Sequence, residues 1–173
     1  MQHEQPLGTI RRGDDGRWVL RYERRLAHPP EKVWRALTES EHLRHWMPAD
    51  IVGERRQGAS ITLPFWPEIL ERYGDRVETP VLEGEIRVWD PPNVFEWTWA
   101  EDVLRWELDA AGADTQLTFT TWLGDPDMNA ADPAAGYHIC LDRLAELLDR
   151  GSTSPTDDAV IARMEREYAG STS

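Results

Sequence analysis

Few side chains in this sequence have the means to do chemistry. His138 and Asp142 stand four apart in a helical run, so they share a helix flank and can hydrogen-bond. A carboxylate orienting an imidazole is what a general base needs, which makes the two the weak catalytic candidates. Spacing brings no serine or cysteine to them, since Cys140 lies in another helical phase, and the simpler reading is a polar pair on the helix surface. His42 and His45, with Glu41 or Asp50 nearby, sit i, i+3 on a short helix. Zinc asks for three or four convergent ligands and no second dense set follows, so no metal is assigned. Neither a Walker loop nor GxGxxG occurs, and no cofactor is expected.

The aromatic residues carry more. Phe95, Trp97 and Trp99 alternate along one strand, and Trp106 and Phe119 hold the same phase on the next two. Tyr137, Leu141 and Leu144 share the apolar stripe of the last long helix. These eight are the candidate ligand-binding set. They form either a closed core or the wall of a pocket for a small apolar or aromatic molecule, whose oxygen an indole N–H would orient. Glu96 and Glu107 fall on the opposite face, which weakens a paired-carboxylate mechanism and suits cross-strand pairing with Arg87 and Arg105.

Composition narrows the partners. The 173 residues suit one domain, and a net charge of −13 repels phosphate backbones and anionic lipid, so no nucleic acid is expected. The one dense basic group, Arg11, Arg12, Arg17, Arg21, Arg24 and Arg25, alternates along a strand and reads as an ion-paired solvent face. No apolar run spans a membrane and the first residues lack a signal-like apolar stretch. One cysteine excludes an internal disulfide, and a cytoplasmic location is the expectation.

Residues 1–16 read as a loosely ordered N-terminus ending in a GDDG turn. WVLRYERRL alternates as a first strand, and His28-Pro29-Pro30 stops it and starts a helix holding Val33, Trp34 and Leu37 on one face. EHLRHWM follows as a second short helix. Residues 50–55 and 59–65 read as a hairpin, and the apolar stretch 64–80 as a lid or a packed connection. Strands then run through 82–88, with Leu82, Gly84, Ile86 and Val88 inward, and on to Leu123. A helix from about Ala134 ends at Gly151. Residues 17–151 thus form one domain, and 152–173 an amphipathic helical segment that docks on it or pairs with a second chain as a possible homodimer. The class is α+β: a curved antiparallel sheet of about six to seven strands wrapped around a long C-terminal helix, a helix-grip fold.

RRLAHPPEKVWRALTESEHLRHWM (residues 24–47), GEIRVWDPPNVFEWTW (84–99) and GYHICLDRLAELL (136–148) resemble the bacterial branch related to the activator of the Hsp90 ATPase, in the START/Bet v 1-like superfamily. The resemblance runs from about residue 17 to 150. It implies a hydrophobic-ligand cavity between sheet and long helix, and no shared catalytic residue. Members include lipid binders, cyclases and co-chaperone modules, so a protein-interaction module and a cyclase or hydrolase using the same cavity stand as alternatives. Pro64 to Pro80 is longer and more apolar than the family's pattern.

Overall fold

The structure, a computed structural model, describes residues 5–74 and 79–171. Seven antiparallel strands form one sheet in the order β1-β2-β7-β6-β5-β4-β3. They are β1 (Thr9–Arg12), β2 (Trp18–Leu26), β3 (Ser60–Pro64), β4 (Val81–Asp90), β5 (Val94–Trp99), β6 (Asp102–Ala111) and β7 (Asp114–Trp122). The helices are α1 (Pro30–Thr38), α2 (Ser40–Trp46), α3 (Pro67–Tyr73), α4 (Ala131–Arg150) and α5 (Asp158–Ala169).

Local sequence explains the element ends. Pro30 opens α1, where its missing N–H is not needed, and Val33, Trp34 and Leu37 are buried as their spacing predicts. Gly151 takes a left-handed φ of 78° that closes α4. Asp157 caps α5 by accepting the Ala159 N–H at 2.8 Å.

The sequence reading changes at four places. Thr9–Arg12, placed in a loosely ordered terminus, forms β1, which pairs with β2 across the GDDG turn. Its single apolar residue, Ile10, leaves no alternation to detect. Residues 50–55 make no continuous strand; they touch the β3 segment through the Ala49–Phe65 and Val52–Thr62 bridges. Between Ile86 and Val88 a bulge shifts the β4 register, so Trp89 and not Val88 opposes Phe95. Its ring meets Trp34 at 5.1 Å and Phe95 at 5.4 Å. Arg24, placed in the solvent face, is buried, because it has the phase of Leu20, Tyr22 and Leu26.

Sheet and helices close on an aromatic core. Trp106 stacks on Phe119 at 3.9 Å, Trp46 meets Trp106 edge-on at 5.4 Å, and Tyr137 meets Phe119 at 5.1 Å. The Trp46 indole N–H donates to the Ala36 carbonyl at 2.8 Å, which fixes α2 against α1. The amphipathic C-terminal helix α5 docks on α4 of its own chain through Met164 and Tyr168.

Candidate functional site

Beside this core, α2, α3, α4 and α5 border an open cavity of about 710 Å³, within the roughly 300–1,000 Å³ of small-molecule sites. Trp46, Met47 and Pro48 at the end of α2 form one wall, and Trp66, Ile69 and Tyr73 another. Trp99 at the end of β5 and Gly136, Tyr137, Ile139 and Cys140 of α4 complete the apolar lining, with Ile161 from α5. Arg44, His45, Glu68, Arg72, Asp132, Arg143 and Glu165 are its charged and titratable members.

Two fastenings of unequal strength frame the cavity. Arg143 donates to the His45 carbonyl at 3.1 Å, the Ser154 carbonyl at 2.5 Å, Thr156 Oγ1 at 3.2 Å and Thr153 Oγ1 at 3.2 Å, tying α4 to α2 and to the chain before α5. Arg143 and Glu146 therefore do not form the plain solvated face their charges suggest; Glu146 accepts the Ser154 N–H at 2.7 Å. The helix α3 is held more lightly. None of its residues is fully buried, and its polar ties are Arg44 to Glu68 at 2.6 Å, Arg72 to Asp158, and Arg72 to the Thr156 carbonyl at 3.2 Å. Exposed ion pairs of this kind are worth about 0–1 kcal/mol each.

The cavity offers little for covalent or acid–base chemistry. Burial pushes the Cys140 thiol up to about 12 and raises the Tyr137 phenol well above its ordinary range, so both stay protonated at neutral pH. His138 and Asp142 do meet, Nε2 to Oδ2 at 3.5 Å, as their spacing predicts. They lie at the α4–α5 contact and not on the cavity. His138 Nδ1 takes the Tyr168 hydroxyl at 2.7 Å and lies 3.4 Å from Arg24 Nη2; both face it as donors, which places its own proton on Nε2 toward Asp142. Burial, with the charges of Arg24 and Arg163, lowers its pKa to about 4, so the ring is neutral.

The proposed ligand set divides. Trp99 and Tyr137 line the cavity; Phe95, Trp97, Trp106, Phe119, Leu141 and Leu144 are closed into the core. Glu96 pairs with Arg105 at 3.0 Å, and Glu107 with the same Arg105 at 3.4 Å. His42 groups with Glu39 and Glu41, while His45 turns to the cavity; only surface side chains meet at the first three. A shallower groove of about 780 Å³ lies between α1 and residues 50–55, with Trp34 and Trp89 at its base. Sequence reasoning passed over Arg44, Arg72, Arg143 and the chain at 153–156, whose charge and polarity read as solvated surface. The available signal was Ile139 and Cys140, apolar residues flanking the wet side of α4.

The fold is similar to that of several solved structures. A conserved protein of unknown function from Enterococcus faecalis, EF2215, is 19% identical with a TM-score of 0.75, covering 95% of this chain and 90% of its own. CalU16 from Micromonospora echinospora is 18% identical with a TM-score of 0.69, covering 98% of each chain. The BPP1335 protein from Bordetella parapertussis is 24% identical with a TM-score of 0.69, covering 98% of this chain and 94% of its own. No curated protein matches the sequence. Among the described residues no helix is long and apolar enough to cross a membrane. Residues 27–149, from the end of β2 nearly to the end of α4, match the family described as Activator of Hsp90 ATPase homolog 1-like protein, and the chain belongs to that family.

Proposed function

We propose that this protein binds an apolar or aromatic small molecule in the cavity framed by α2, α3, α4 and α5. One observation carries the reading: a volume of about 710 Å³ whose lining includes four aromatic rings besides Tyr73, namely Trp46, Trp66, Trp99 and Tyr137. Such a lining desolvates an apolar ligand and gives it faces to stack on. Binding, and not turnover, is assigned, since the cavity's thiol is protonated and the His138–Asp142 pair lies outside it. The helix α3, lightly fastened beside the cavity, is its lid. Residues 75–78 of the stretch that follows lie outside the described residues.

Native mass spectrometry of protein purified from its own host tests for a co-purifying molecule. Tryptophan fluorescence during titration with apolar and aromatic compounds tests for saturable binding. Saturable quenching lost in Trp99→Ala is expected. A ligand-free mass together with no response across the compounds would refute the reading.

A further inference from the structure

Among the described residues, one arginine on this cavity has no carboxylate partner. In a chain with 19 basic and 32 acidic side chains, three arginines, Arg44, Arg72 and Arg143, stand on one cavity. Carboxylates match two of them, Glu68 for Arg44 and Asp158 for Arg72. Among the described residues, half-buried Arg143 donates only to neutral acceptors, the carbonyls of His45 and Ser154 and the hydroxyls of Thr153 and Thr156. Those bonds use four of the guanidinium's five N–H groups and leave one on Nη2. Asp132 and Glu165, the other acids on the cavity among the described residues, are exposed, so water screens them. Trp66 and Trp99 offer the cavity their ring faces, since their indole N–H groups are buried away from it.

We infer that the ligand is an amphipathic anion, an apolar or aromatic body bearing one carboxylate, with that carboxylate paired to Arg143. This rests on the reading that the cavity binds a small apolar molecule. The apolar body fills the space between Trp99, Tyr137 and Trp66, and the carboxylate brings the counter-charge that Arg143 lacks. A guanidinium pairs with a carboxylate more strongly than with any neutral oxygen, which is where selectivity over uncharged analogues arises.

The test compares matched probes on the intact protein by calorimetry: naphthalene-1-acetate against 2-(1-naphthyl)ethanol, and dodecanoate against dodecanol. The acid of each pair is expected to bind about tenfold more tightly than its alcohol. The preference is expected to vanish in Arg143→Gln, to survive in part in Arg143→Lys, and to shrink as salt rises from about 0.05 to about 0.5 M. Should Arg143→Gln fail to fold, the salt series on the unaltered protein decides, and a preference that salt does not change overturns the inference. Equal binding of acid and alcohol overturns the anionic class and leaves the apolar site standing. Binding of neither overturns both.

Discussion

Tyr168 donates its hydroxyl proton to His138 Nδ1 across 2.7 Å, and the same oxygen accepts the Gly8 N–H at 2.8 Å. One buried hydroxyl thereby joins α5, α4 and the chain before β1. Tyr168→Phe leaves a buried imidazole nitrogen and a backbone N–H short of a partner, at a cost of about 1–3 kcal/mol. Urea unfolding is expected to show this loss, and limited proteolysis faster cleavage at residues 152–157. Unchanged stability and cleavage would show that α5 is held by its apolar face alone.

The same imidazole sets a pH dependence. His138 has its pKa lowered from 6.5 to about 4, chiefly by burial, with Arg24 and Arg163 adding to the effect. Between those values the unfolded chain binds a proton that the folded chain refuses, so stability rises with pH across this window. The contribution is complete above pH 6.5, is lost as pH falls toward 4, and amounts to roughly 3 kcal/mol. Asp102 has a raised pKa, again chiefly from burial, and acts in the opposite sense. It does so equally in His138→Gln, whereas Asp142, also raised by burial and 3.5 Å from the ring, responds to the substitution, so the difference between the two proteins reports the His138–Asp142 pair. Identical pH slopes from 6.5 to 4 in both would contradict a neutral, buried His138.

Trp99 and Trp106 share a sheet face yet have different neighbours. Trp106 is stacked on Phe119 at 3.9 Å and fully buried, so Trp106→Ala should lose about 3–5 kcal/mol. Trp99 borders the cavity and is half-buried, so Trp99→Ala should lose much less stability while weakening ligand binding. Thermal melts and the fluorescence titration separate the two effects. Equal destabilisation by both would make Trp99 a core residue.

Gly84 alternates with the charged residues of β4 like any inward position, but its reason is close approach. A Cβ there would collide with the carbonyl oxygen of Thr98, whose hydroxyl meanwhile accepts the Glu85 N–H at 2.9 Å. Gly84→Ala must push β4 and β5 apart and is expected to destabilise by about 1–3 kcal/mol. A circular-dichroism melt indistinguishable from the parent would show that the β4–β5 seam yields freely.

Alternation made β2, β5, β6 and β7 legible, and an apolar stripe made α4 legible, because each must bury one face of a regular element. Elements lacking such a face were obscure. β1 has only Ile10 to mark it, and α3 has no fully buried residue. The bulge that turns Trp89 inward follows from how β4 meets β5, which period-2 counting along one strand cannot include. The candidate site was half legible for a related reason. Trp99 and Tyr137 were visible as aromatic positions, but Arg143 acquires its role from carbonyls and hydroxyls about 10 to 100 residues away in sequence.

The most direct measurement is the set of tryptophan indole N–H signals in a ¹H–¹⁵N spectrum, assigned by single Trp→Phe variants and followed during titration with naphthalene-1-acetate. The cavity reading predicts saturable shifts at Trp66 and Trp99 with Trp18 and Trp34 unmoved. Shifts confined to Trp34 and Trp89 would place binding in the groove beside α1 and contradict it, as would a spectrum that does not change.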